Sequence, residues 1–288
     1  DVYKRQEFEH TMYNALMATM KNDGSQISKY SPLEGRRQPG EEQCGMHINC
    51  CNANGPRGFA LIPKTACTIK DNHIYLNLYF PLQATISLNK KNKVHLNVES
   101  DYPIHGKVNV NIGVQKKEKF TLALRIPTQI EKMKAYINGE EQEITHKGGY
   151  LYIERIWENA DKVTLDFKIE TKVVKLNNSQ AIVRGPLLFA RDSRFNDGDI
   201  DECATIKCNN QGVIQAKIKK NKTGTFPWIT LTVPAVLGTD LENVENKTPK
   251  LINFCDFSSS GNDWNPNGRY RVWIPQTFHA MSEPYKKY

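Results

Sequence analysis

Apolar side chains recur at Phe8, Met12, Ala15, Leu16 and Met20, one stripe of an amphipathic helix over residues 7–21 that Asn22-Asp23-Gly24 closes. A single helix cannot bury such a stripe, so it calls for helical neighbours. Residues 25–45, with Ser31-Pro32 and Gln38-Pro39-Gly40, read as loop, and 54–63 as a short helix or turn. From Thr68 the period changes to two. Ile74, Leu76, Leu78 and Phe80 point one way and Tyr75, Asn77 and Tyr79 the other, and 94–98 and 108–112 repeat the alternation. This predicts antiparallel strands with one wetted face. Further strand runs at 119–126, 132–138, 149–156 and 162–170 end in turn chemistry such as Asn138-Gly139 and Gly148-Gly149. After Lys172 a second set of runs lies at 180–190, 213–219, 226–233 and 269–274, where Trp273 and Ile274 would close a second β unit. Short strands at this spacing without intervening helices predict a mainly β fold with two β-sandwich domains.

A chain of 288 residues has room for two or three domains. The net charge is +8, but the lysines are spread along alternating strands with Asp and Glu between them, which describes solvated strand faces and excludes a nucleic-acid surface. No apolar run approaches the roughly 18 residues of a membrane span. Seven cysteines in a chain of this length do not make a disulfide framework. The opening Asp1-Val2-Tyr3-Lys4-Arg5-Gln6 has no initiator Met and looks like translated adapter sequence, so it is set aside from fold reasoning. The chain is therefore expected to be the C-terminal part of a longer protein. Compartment and oligomeric state stay open.

Candidate chemistry gathers in one place. Cys44, Cys50 and Cys51 fall close together beside His47, Glu41 and Glu42. Thiols this dense serve as metal ligands, as a nucleophile or as both, and zinc takes Cys, His and carboxylate ligands. The alternatives are a disulfide or buried inert thiols, although adjacent cysteines such as Cys50 and Cys51 rarely bridge to each other. A local set of Glu42, Cys44, His47 and the pair would be unusual, so a ligand from elsewhere is expected.

Several short motifs occur in order: Glu9-His10-Thr11-Met12-Tyr13-Asn14, Tyr30-Ser31-Pro32-Leu33-Glu34 and Cys50-Cys51-Asn52-Ala53-Asn54 with Arg57. They continue with Leu124-Arg125-Ile126-Pro127, Tyr136-Ile137-Asn138-Gly139, Arg155-Ile156-Trp157, Arg184-Gly185-Pro186-Leu187 and Arg271-Val272-Trp273-Ile274-Pro275. Together, in this order, they resemble the motifs of glycoside hydrolase family 127, the β-L-arabinofuranosidase group. The resemblance implies the last helices of a truncated (α/α)6 barrel over 1–66, a first β-sandwich over 67–172, to which 276–288 could return, and a second over 173–275. It also implies a retaining glycosidase acting on plant oligosaccharide or polysaccharide. Cys50 would be a zinc-bound nucleophile and Cys51 a zinc ligand, while Glu9 and Tyr30 would contact the sugar and His47 could line the pocket. The other two zinc ligands, a Glu-x-Cys pair, and the general acid/base Glu would precede residue 7. Glu42-Gln43-Cys44 spells Glu-x-Cys but lies much nearer Cys50 than the family motif does. Asn52-Ala53 stands where the family has Pro-Pro, the mark of a divergent branch. A related hydrolase of another furanose or of an acidic pectic sugar, and a non-catalytic β-sandwich carbohydrate-binding module, are the alternatives; exposed aromatic triplets on a sandwich face would favour the module.

Overall fold

The computed structural model describes residues 2–39, 50–88, 92–144, 146–222, 224–238 and 248–276. Contacts divide the chain into two compact units. The first holds Asp1–Met17, Ile48–Glu170 and Arg184–Leu187, the second Ala18–His47, Thr171–Val183 and Leu188–Tyr288. The division near residue 170 falls where the strand run 162–170 ends, whereas the stretch grouped from sequence as 1–66 contributes to both units. Residues 277–288, considered above as returning to the first sandwich, lie outside the described residues.

In the first unit, the amphipathic stretch becomes helix α1, Val2–Thr11, continued by a π turn over Met12–Leu16. The wider π turn shifts the register of the face that is buried. Glu9, Met12 and Tyr13 go inside, while Ala15 and Met20 of the expected stripe are exposed. Helix α2, Cys50–Ala66, is longer than the short helix or turn read at 54–63 and continues through Pro56 and Pro63. Gly58 of α2 sits against Leu16, where a Cβ would come 3.0 Å from Leu16 Cδ1.

Two sheets follow. A six-stranded sheet runs in the order Leu82–Ser87, Lys93–Ser100, Lys107–Val114, Asp161–Ile169, Ile130–Ile137, Glu140–Gln142. Val98, Val110, Val163 and Ile137 line up across four of its strands and are all buried, while Gln83, Asn97, Asn111 and Lys162 form the neighbouring polar row. A five-stranded sheet runs His146–Lys147, Tyr150–Trp157, Glu118–Arg125, His73–Leu76, Cys67–Lys70. There the expectation of antiparallel strands needs correction, because His73–Leu76 runs parallel to Glu118–Arg125. The strand Leu82–Ser87, whose residues are half-buried or exposed in alternation, was not anticipated.

The hairpin turn at Asn138-Gly139 has φ of 51° and 93°, and Gly148-Gly149 has 55° and 76°. Both positions of each pair need positive φ, which Asn and Gly tolerate.

The second unit is a ten-stranded sheet system whose main path is Glu34–Gly35, Tyr270–Arg271, Leu187–Asp192, Lys250–Asp256, Ile229–Leu237, Ala204–Ile206. The run read as 180–190 is two strands, Ser179–Arg184 and Leu187–Asp192, broken at Gly185, whose φ is +51°. Ile274–Pro275 pairs with Ser179 and Gln180, so the C-terminal Trp273-Ile274 run does close this unit. Ala18, Ala181, Ala190, Phe257, Tyr270 and Val272 form a buried cluster within it. Arg37, which the sequence presents as a loop residue, is buried between the rings of Phe257 and Tyr270, 4.8 and 4.9 Å from their centroids. Its guanidinium donates to the carbonyls of Ala18, Phe257 and Ser260. These donors tie the segment around Arg37 to the turn that follows the strand Lys250–Asp256 and to Ala18.

Candidate functional site

Cys50 and Cys51 open helix α2, the first exposed and the second half-buried, and neither is in a disulfide. Asn54 Nδ2 donates to the Cys50 carbonyl at 3.0 Å, and Arg57 Nη1 donates to Asn54 Oδ1 at 3.3 Å. Cys50, Asn54 and Arg57 of the motif are thus one turn-to-turn chain at the start of the helix carrying the thiols. The other end of α2 leads directly into the strand Cys67–Lys70 of the five-stranded sheet. Among the described residues no three His, Cys, Asp or Glu side chains converge as metal ligands. The metal-ligating side chains at this point of the described residues are therefore two adjacent thiols, fewer than the four donors a tetrahedral zinc ion takes. Cys44, Glu42 and His47 lie outside the described residues.

Glu9 has a different setting. It is fully buried, with Oε1 2.6 Å from Nη2 of the equally buried Arg125, and Tyr102 donates its hydroxyl to Oε2 at 3.3 Å. Arg125 Nε donates to the Asn77 carbonyl at 2.5 Å, the Tyr79 hydroxyl donates to the Arg125 carbonyl, and the Tyr150 hydroxyl donates to Asn77 Oδ1 at 2.6 Å. At that separation the guanidinium and the carboxylate form a charge-assisted contact. Burial pushes the Glu9 carboxyl up, against the pull of Arg125, and burial likewise raises the Tyr102 and Tyr79 phenols. Arg125 is pushed down by burial, but Glu9 and the phenols outweigh this and hold it above its ordinary value. In this structure the Glu9 carboxylate faces Arg125 and Tyr102, not solvent.

Other motif residues also serve as anchors. Asn14 Nδ2 donates to the carbonyls of His10 and Pro186, and Arg184 donates to the carbonyls of Ile104 and Ile169. Glu9, Cys50 and Cys51 share the first unit. Tyr30 belongs to the second, where its ring is 56% exposed beneath Lys29 Nζ, 5.5 Å from the centroid. The rings of Tyr75, Tyr150 and Tyr152 do come together, but Tyr150 is buried and the other two half-buried, so they do not form the exposed triplet of a carbohydrate-binding module. Sequence reasoning missed Arg125 as the partner of Glu9 and Arg37 as a core residue. The one available signal for Arg125 was its place between alternating apolar residues on a central strand.

Residues 73–169 match the family model described as β-L-arabinofuranosidase, GH127 middle domain. Over those residues the chain is similar to a GH127 middle domain. No curated protein matches the sequence. Among solved structures, a GH127 β-L-arabinofuranosidase from Geobacillus stearothermophilus T6 superposes with a TM-score of 0.73 at 22% identity, over 96% of this chain and 46% of that one. A protein described as a glycoside hydrolase gives 0.73 at 22%, over 96% and 49%, and a GH127 β-arabinofuranosidase gives 0.72 at 23%, over 96% and 46%. The likeness in fold thus extends over nearly the whole chain, which spans about half the length of the structures it matches. Among the described residues no helix is long and apolar enough to cross a membrane.

Proposed function

We propose that this chain is part of a retaining glycosidase of the β-L-arabinofuranosidase type, acting on plant cell-wall glycans through Cys50 as nucleophile. The observation that carries the reading is positional. A pair of thiols opens the helix that runs directly into a GH127 middle domain, in the order in which the motifs of that family occur.

In this reading the Cys50 sulfur attacks the anomeric carbon, the bond from that carbon to the leaving oxygen breaks, and a carbon–sulfur bond forms. The leaving oxygen takes its proton from a general acid outside the described residues. Water then attacks the same carbon, gives up its proton to that group as base, and returns the Cys50 thiolate. A nucleophile on one face and an acid/base on the other is the arrangement by which retaining glycosidases conserve configuration. Cys50 and Cys51 would hold a zinc ion together with two ligands from beyond the described residues, and zinc, when bound, selects thiolates over thiols. Asn54 and Arg57 hold the first turn of α2 and so position the pair. The buried Glu9–Arg125 pair fixes α1 on the same unit, and Glu9 is proposed to reach sugar hydroxyls only where substrate displaces that contact.

The test uses the full-length protein and an aryl β-L-arabinofuranoside. Cys50→Ser should abolish hydrolysis, because an alkoxide is harder to form and a far poorer leaving group than a thiolate, whereas Cys44→Ser should be mild. Retention of most activity by Cys50→Ser would remove Cys50 as the nucleophile.

A further inference from the structure

Beside the strand end at Tyr270, the second unit carries a cleft of about 450 Å³ lined by Lys21, Gln26, Arg36, Gln38, Asp263 and Trp264, with Arg37, Pro39 and Pro266 completing its wall. Trp264 is the unusual member. Its backbone is left-handed, with φ of +54°, a conformation that a bulky side chain adopts only where its surroundings impose it.

Those surroundings are built for the purpose. The turn from Asp256 to Trp264 is closed by Ser259 N–H to Asp256 Oδ2 at 3.0 Å, Gly261 N–H to Asp192 Oδ2 at 2.9 Å and Trp264 N–H to the Gly261 carbonyl at 3.1 Å. Gly261 has φ of +58°, and a Cβ there would fall 2.7 Å from the Tyr270 ring, so the turn has no room to relax. The opposite rim is fastened to it by Asn22 N–H to the Asn262 carbonyl at 2.9 Å. The indole Nε1 is shut off from solvent and has no hydrogen-bond partner among the described residues, a cost that a merely structural Trp would normally avoid.

Of the charged groups around the indole, three are basic and one, Asp263, is acidic. Asp263 already faces Arg194 at 3.6 Å. Lys21 lies 3.3 Å from the exposed Asp23, and Arg36 makes only a hydrogen bond to the Pro266 carbonyl, with no ion pair among the described residues. A cleft with an aromatic wall, two amides and an under-compensated guanidinium fits a ring that has an apolar face, hydroxyls and a carboxylate.

We propose that this cleft binds an acidic saccharide, a uronic-acid unit whose ring lies on Trp264, whose carboxylate meets Arg36 and Lys21, and whose hydroxyls meet Gln26 and Gln38. The inference rests on the carbohydrate reading above for its ligand class, and it adds a subsite that the Cys50 chemistry does not require.

The experiment is calorimetric titration of the full chain with trigalacturonate, with a neutral arabinotriose, and with polyglutamate as a polyanion that has no sugar ring. Trigalacturonate should bind, and more weakly as salt screens the guanidinium. Trp264→Gly, which a left-handed position accepts, and Arg36→Gln, at an exposed site, should each weaken binding by roughly tenfold or more while circular dichroism stays unchanged. Absence of trigalacturonate binding, equal binding of the neutral sugar or of polyglutamate, or full affinity in both variants would overturn the proposal. Hydrolysis by the full-length protein and its loss in Cys50→Ser are read separately. A cleft that binds beside an inactive Cys50 therefore refutes only the glycosidase reading, and the reverse refutes only this one.

Discussion

Removing one half of the Glu9–Arg125 pair should be among the costliest single changes in the first unit. Charges 2.6 Å apart attract by about 6 kcal/mol at an effective dielectric of about 20. Desolvation of two fully buried ions offsets much of that, so the pair is worth little against an apolar replacement of the same shape. Breaking it is another matter. Glu9→Gln leaves the Arg125 cation without a counter-charge inside the unit, which costs about 3–5 kcal/mol. Arg125→Met should cost a similar amount, because it strands the carboxylate and also removes the donor to the Asn77 carbonyl. In the double variant the buried charges vanish together, so adding Glu9→Gln to Arg125→Met should cost less than about 1 kcal/mol. The assay is urea unfolding at pH 7 of the wild type, both single variants and the double. Burial pushes the Glu9 carboxyl up, and a neutral carboxyl would be replaced by Gln at little cost. A Glu9→Gln penalty below about 1 kcal/mol, or the same penalty with and without Arg125, would therefore show that no buried ion pair exists at neutral pH.

Two further outcomes follow from local geometry. Gly106→Ala should destabilise the six-stranded sheet by about 1–3 kcal/mol or more, since a Cβ at Gly106 would lie 1.8 Å from the Phe167 carbonyl oxygen, which belongs to the backbone and cannot swing away; a change under about 0.5 kcal/mol in chemical denaturation would contradict that contact. Burial pushes the Asp161 carboxyl up, but the Glu158 N–H, the Asn138 amide and Arg155 outweigh it, so its pKa lies below the ordinary 3.8. Protonation then favours the unfolded chain, and the carboxyl's contribution is complete above about pH 4 and lost as pH falls through the folded value. Asp161→Asn should flatten the acid limb of a stability profile; an unchanged slope would remove Asp161 as its source.

The strands of the first unit were legible because their burial is one-sided. Val94, Leu96 and Val98, then Val108, Val110 and Ile112, alternate in the sequence as they do in the sheet. The strand Leu82–Ser87 was harder to read, since it sits at the edge of its sheet and none of its residues is fully buried. The helix at the start was legible as a helix but not in its buried face. That face includes the carboxylate of Glu9, which precedes the π turn over Met12–Leu16.

The candidate site divides in the same way. The thiol pair and its helix are contiguous, so spacing alone places Cys50, Cys51, Asn54 and Arg57 together. Glu9 and Arg125 are separated by more than a hundred positions, and Arg37 and Ser260 by 223. No local pattern links such residues. By itself the sequence determined the period of each segment, the hairpin turns at Asn138-Gly139 and Gly148-Gly149, and the adjacency of two thiols, all of which depend on neighbours a few residues away. Only the tertiary structure decided the parallel pairing of His73–Leu76, the commitment of Glu9 to Arg125 and the cleft around Trp264, because each depends on which distant backbone comes within a few ångströms when the apolar faces are buried.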